Sequence, residues 1–300
     1  MSSNKLYVIG NGFDLYHGIK SRYSDFMHYV KKTNADLFDI IEQYLPNDEL
    51  WSDFESSFRD FDADYFIYEM GNYLPSYADD DWSDSGHHDY QYEIYKNLSL
   101  LTSELNETFL GWVLQIEIPI TSLTFKKINC FKQEAKFLSF NYTTTLSEIY
   151  SIPENNILYI HNKAVDSDSD LILGHGWHPD NQKSRNDFDG IEDEDVRVVE
   201  GNELIDEYFK DSYKPVETII ENNKSYFENL FDIQEVYILG HSLADVDLEY
   251  FKEIIKYTDK KVVKWKFSYY SDKDIVHHTD VLIGLGVDED KITCAKLVSF

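Results

Sequence analysis

Short apolar runs rich in strand-forming residues recur along the chain at 5–9, 137–140, 157–160, 171–173, 235–239 and 261–269. Each is too short and too continuous for one face of a helix, and several end in Gly, Asn or His. They predict buried strands that stop at turns. Helix-period segments lie between some of them, and strand, crossover helix, strand is the pattern of a parallel sheet covered on both faces. From 34 to 131 the period changes: 35–44, 54–73 and 90–114 carry apolar residues at helical spacing without a convincing strand. The pattern therefore predicts a single domain over 1–300, its α/β core made of 1–33 and 132–300 and a helical insertion occupying 34–131. Two polar stretches, 79–89 and 179–195, predict acidic loops at the surface.

Composition narrows what such a fold can do. Against 27 Lys and Arg stand 56 Asp and Glu, a formal charge of −29. A surface of that sign repels polyanions, and Arg occurs only at positions 22, 59, 185 and 197, so neither nucleic acid nor an anionic membrane is an expected partner. No apolar run reaches the ~18 residues of a membrane span. The chain also enters its first strand without a basic, cleavable leader, which predicts a cytoplasmic location. Cys130 and Cys294 alone cannot form a disulfide framework or a four-thiolate zinc site.

The most informative segment is Gly10-Asn11-Gly12-Phe13-Asp14, directly after the first strand. Glycines there let the backbone approach a ligand phosphate, and a helix starting at about Asp14 would point its free N–H groups at it. The third glycine of a dinucleotide fingerprint is absent, since position 15 is Leu. A tight turn with Asp14 capping the helix explains the same residues. Asn141 and His161 follow consecutive predicted strands, where ligands of open α/β sheets bind. Asn141 equally well begins a turn into a helix over 142–150, and His175 follows a predicted strand as His161 does. No carboxylate or Cys at fixed ligand spacing joins His161, His175 and His178, so no metal is expected. Gly240-His-Ser242-Leu-Ala-Asp245 follows another strand and reads either as a ligand-facing turn or as a Ser-x-x-Asp capping box. It lacks the second glycine of a nucleophile elbow, and no Gly-Lys-Ser or Gly-Lys-Thr phosphate loop occurs.

In combination these blocks carry a resemblance. The run from Gly10 through Gly18-Ile19 to Asp25-Phe26 is similar to the opening signature of the AbiH family of bacterial abortive-infection proteins. Further matches follow in order at Trp51-Ser-Asp-Phe-Glu55, Phe140-Asn141-Tyr-Thr-Thr-Thr-Leu146, Ile160-His161, Leu173-Gly-His175-Gly176, Tyr213-Lys-Pro215 and Leu239 to Asp247. The same blocks resemble, more distantly, the sirtuin-like Rossmann domains of NAD-consuming phage-defence enzymes. That resemblance implies a sirtuin-like Rossmann-type parallel sheet and NAD as substrate or ligand. It assigns Gly10, Asn11, Gly12, Phe13, Asp14, Asp25, Gly240 and Ser242 to the nucleotide. Asn141 falls to the nicotinamide side and His161 to the ribose, with His175 competing for the role of base. The pattern departs from sirtuins at Lys20 (Pro there), Thr143 (Asp there) and Asn162 (Gly there). The expected function is an anti-phage effector that hydrolyses the N-glycosidic bond of NAD or a related nucleotide, with a non-catalytic nucleotide sensor or partner subunit as the alternative. A phage-derived or defence-system protein would be the trigger, and a homo-oligomer the working form.

Overall fold

A computed structural model describes residues 4–45, 50–51, 53–76, 88–119, 127–188, 191 and 194–300. The chain divides into two compact units. The first, Met1–Arg22 with Leu110–Ile172 and Pro215–Phe300, holds the sheet; the second, Tyr23–Phe109 with Leu173–Lys214, is helical. The sequence pattern places the start of the helical region at 34 and its end at 131; instead it begins at Tyr23 and draws in a second segment downstream. That second segment carries the amphipathic helix that closes its core.

The sheet has six parallel strands: β1 Lys5–Ile9, β2 Lys136–Ser139, β3 Ile157–Tyr159, β4 Glu235–Leu239, β5 Lys264–Tyr269 and β6 Ile292–Lys296. Their spatial order is β3-β2-β1-β4-β5-β6, a Rossmann-like arrangement in which the chain reverses direction across the sheet between β1 and β4. Alternation along β1 decides the layers. Leu6 and Val8 face one core with Leu138, Val236 and Ile238, packed under α10 (Val216–Asn222), α11 (Lys224–Glu228), α12 (Leu248–Tyr257) and α13 (Asp272–Gly284). Tyr7 and Ile9 face the other, with Phe137, Phe13 of α1 (Asn11–Tyr16) and Leu146 of α8 (Thr145–Tyr150). Both faces of the central strands are thereby buried, as an all-parallel sheet requires.

Residues 171–173 form no strand, contrary to the reading of the sequence; they belong to no helix or strand. β6 went unrecognised because Ile292–Lys296 is an edge strand whose side chains are mostly exposed, so no apolar run marks it.

The helical unit contains α2 (Tyr23–Thr33), α3 (Ala35–Tyr44), α4 (Phe54–Ser57), α5 (Ala63–Met70), α6 (Asp89–Ser99), α7 (Leu105–Val113, which runs past the unit's boundary at Phe109) and α9 (Val196–Asp211). Its core is aromatic, with Phe26, Phe54, Phe58, Phe66, Phe109 and Tyr208 all buried. α9 starts at Asp195, whose carboxylate caps the Arg197 N–H at 2.9 Å and grips the buried Arg197 guanidinium. Most of the loop expected at 79–89, and residues 189–190 and 192–193 of the second acidic stretch, lie outside the described residues. Among the described residues no helix is long and apolar enough to cross a membrane.

Candidate active site at the carboxyl edge of the sheet

The glycine turn after β1 meets the turn after β4. Gly10 N–H donates to Leu239 O at 3.1 Å and Gly12 N–H to Gly240 O at 2.7 Å. A Cβ on Gly12 would stand 2.9 Å from Gly240 Cα, and one on Gly10 would stand 2.6 Å from His241 Cα. Gly240 itself has φ +68°, and a Cβ there would collide with Phe13 N. The close approach that these glycines permit is thus between two backbone turns. The Gly12 N–H expected to face a phosphate is already bonded, and α1 begins at Asn11 with Gly10 as its cap, three residues earlier than the sequence suggests. Asn11 is exposed, its amide donating to Ser21 O at 2.8 Å, whereas Phe13 is buried. His17 pins α1 to α8, bonding Phe13 O and the Tyr150 hydroxyl, each at 2.7 Å.

This packing drives Asp14 inward. Only 1% of Asp14 is exposed, and it accepts a 2.5 Å hydrogen bond from the Thr143 hydroxyl; Thr143 in turn is 3.0 Å from Thr145 Oγ1. Burial pushes the Asp14 carboxyl up to about 6, against the opposite pull of Thr143, Thr145 and Asn141. Asn141 is also buried. Its amide stands near enough to the carboxyl to favour the charge, yet neither Nδ2 nor Oδ1 completes a properly aligned hydrogen bond, and Asp14 Oδ1 likewise has no partner. Buried amides are ordinarily satisfied, so an unsatisfied one beside a desolvated carboxyl, where strands present ligands, makes this the candidate site. Thr143, in the turn after β2, thus binds a carboxylate carried by α1.

A second cluster forms beyond β3 and β4. His161 and His241 are both buried and both face Asp247: His161 Nε2 lies 3.8 Å from Oδ1, and His241 Nε2 lies 3.4 Å from Oδ2. Phe140, continuing β2, packs edge-on against both rings, at 5.4 Å and 4.3 Å between centroids. The left-handed conformation required after His161 falls on Asn162, with φ +64°. Asn is among the few residues that enter this region readily, and the Asn162 amide donates to Asp170 O at 2.6 Å. Leu243 is also left-handed, φ +56°, which sends its N–H to His241 Nδ1 at 2.9 Å. A bulky residue in that region marks a turn under constraint.

The α/β unit alone thus brings together Gly10, Gly12, Phe13, Asp14, Asn141, His161 and Gly240. Asp25, in the first turn of α2, and His175 belong to the helical unit. His175 is 1% exposed and accepts the Trp177 N–H at Nδ1, 3.2 Å away; burial foremost lowers its pKa to about 4, which makes it a weak proton acceptor near neutrality. Ser242 is exposed, with its backbone carbonyl rather than its hydroxyl engaged, by His278 Nε2 at 3.1 Å. The expected Ser242–Asp245 capping box does not form: a short 3₁₀ turn over Asp245–Asp247 intervenes and α12 starts at Leu248. Sequence reasoning missed His241 and Asp247 as site residues. The signal available was a second acid, two residues after Asp245 and at the mouth of a helix.

A family model described as bacteriophage abortive infection AbiH matches residues 6–269. The chain belongs to the AbiH family. Its role is accordingly one in abortive infection by bacteriophage. The AbiH match ends at the last residue of β5, so every residue of the sheet-edge clusters lies inside it, while β6 lies beyond. A comparison with curated proteins gives no match.

Proposed function

We propose that this AbiH protein is an anti-phage effector whose sheet-edge site binds NAD or a related nucleotide and hydrolyses its N-glycosidic bond. The observation that carries the reading is the buried, unsatisfied amide of Asn141 beside the Asp14 carboxyl at the end of β2. Such an amide can hold a water or a carboxamide through both its donor and its acceptor. In the reaction the bond from the ribose C1′ to the leaving base breaks, the base departs with the electron pair, and a water oxygen bonds to C1′ while losing its proton to a site base. The carbon passes through oxocarbenium character, which a nearby carboxylate stabilises. Asp14, ionised above pH 6, supplies that negative charge, and His161 takes the proton. The commitment of the Gly12 N–H to Gly240 leaves the pyrophosphate to other groups.

Incubating the purified protein with NAD and separating products by chromatography tests this. Free nicotinamide and ADP-ribose are expected from the native protein and from His175→Ala, none from His161→Ala, and turnover reduced more than nucleotide affinity in Asn141→Ala. Binding by calorimetry without products supports the sensor reading instead, and absence of both refutes nucleotide recognition.

A further inference from the structure

Among the described residues Asp247 is the acid shared by two buried imidazoles, and the three residues come from separate places: His161 from the end of β3, His241 from the end of β4, and Asp247 from the last residue before α12. The state of His241 follows from its hydrogen bond. Because Nδ1 accepts the Leu243 N–H, that nitrogen carries no proton, so the ring is neutral and its proton sits on Nε2, facing Asp247 Oδ2. His241 therefore serves as a donor that orients the carboxylate. The other oxygen of the carboxylate is left facing His161 Nε2.

From this geometry we infer that Asp247 is the positioning carboxylate of the sheet-edge site, held by neutral His241 and acting through His161, whose imidazolium it stabilises when His161 takes a proton. The surroundings sharpen the effect. Phe140 and Tyr250 pack edge-on on His161, Phe251 packs on His241, and Tyr142 lies at 6.2 Å from the His161 ring. The groups that can titrate here are His241, Asp247, Tyr142 and Tyr250 around His161, with His278 of α13 beside His241, and Asp247 is the acid among them. Little water screens it, since the Asp247 side chain is 12% exposed and both imidazoles 3%. An opposite charge this close favours the protonated ring, so His161 is more basic with Asp247 ionised than without. The sequence block Ser242-Leu-Ala-Asp-Val-Asp247 acquires a use in this way: its left-handed Leu243 sets His241, and its last acid sets His161.

This inference rests on reading His161 as the base, and the test separates the two. Histidine ring signals are titrated by NMR in the full-length protein, with the His161 signal assigned from its loss in His161→Asn. In Asp247→Asn, which keeps the shape and removes the charge, the His161 midpoint is expected to fall by about one pH unit. The acid limb of the NAD-hydrolysis profile should move to lower pH by the same amount while the maximal rate drops. Asp247→Glu should restore both, which a residue needed only for packing would not do. An unchanged His161 midpoint in folded Asp247→Asn overturns the inference whatever the activity. A lowered midpoint in a protein that does not hydrolyse NAD keeps the carboxylate's role and refutes the hydrolase reading. If Asp247→Asn fails to fold, His241→Gln serves as the second variant: a His161 midpoint below the native one supports the arrangement, and an unchanged one overturns it.

Discussion

Replacing Asp14 by Asn should stabilise the protein while destroying its activity. The carboxyl is buried against Thr143 and its pKa is raised from 3.8 to about 6 by desolvation. That difference is about 2 pH units, and at about 1.4 kcal/mol each it corresponds to about 3 kcal/mol. The sign follows from proton counting: between about pH 4 and pH 6 the folded protein holds a proton that the unfolded chain has released, so the stability contributed by this carboxyl is complete below pH 4. It is lost as pH rises through 6. An asparagine side chain presents the same shape without charge, can accept from Thr143, and can donate to the unpartnered Asn141 Oδ1. Urea unfolding followed by circular dichroism from pH 3 to 8 should give nearly equal stabilities for the two proteins at the acid end. The Asp14→Asn variant should gain up to about 3 kcal/mol at pH 7.5 and above, with NAD hydrolysis lost throughout. A stability difference that does not vary with pH would refute the assignment of a desolvated carboxylate. Gain of stability on loss of a functional group is the trade expected where a site keeps an unfavourable charge for its chemistry.

Two further outcomes bear on the framework. Gly12→Ala places a Cβ 2.9 Å from Gly240 Cα and should cost about 1–3 kcal/mol in chemical unfolding whether or not nucleotide is bound; an undiminished stability with lost nucleotide affinity would return this glycine to the ligand. In the helical unit the buried Lys214 ammonium pairs with Glu55, which also accepts from the Tyr23 hydroxyl at 2.6 Å. Lys214→Met should therefore cost about 3–5 kcal/mol, much of it recovered when Glu55→Gln is added. A double variant as unstable as the single would show that the ion pair is not the cause.

β1 and β4 were legible to the residue, because Lys5–Ile9 and Glu235–Leu239 are central strands buried on both faces and bounded by glycine. α3 was equally plain, its Leu37, Ile40, Ile41 and Tyr44 marking one face after the Asn34 cap. Strength of pattern tracked burial, and β6, half in solvent, left none. Asn141 and His161 were singled out because they follow strands, and the structure places both, buried, just beyond β2 and β3. Asp247 was not, because its place before a helix is the only local mark that separates it from Asp245: its partners are set by a left-handed leucine and by His161, 86 residues upstream, and such pairings are written in three dimensions only. The glycine turn was located correctly but for a different physical reason, since what approaches Gly12 is Gly240 rather than open space for a phosphate.

The order of the strands also fixes when the protein can become active. β1 pairs with β2 through Leu6 and Lys136 and with β4 through Leu6 and Val236, closing loops of roughly 130 and 230 residues. Both hydrogen-bonding edges of β1 stay unpaired until those partners have been synthesised, and pairings of such long range are slow to form. A ribosome-bound chain that has passed His161 but not β4 already contains Asp14 and Asn141. It lacks the turn that clamps Gly10 and Gly12 and the acid that faces His161. Synthesis itself therefore acts as a safeguard: a chain stalled before β4 lacks half of the sheet edge, and the activity proposed for that edge would begin only with a chain translated through α12.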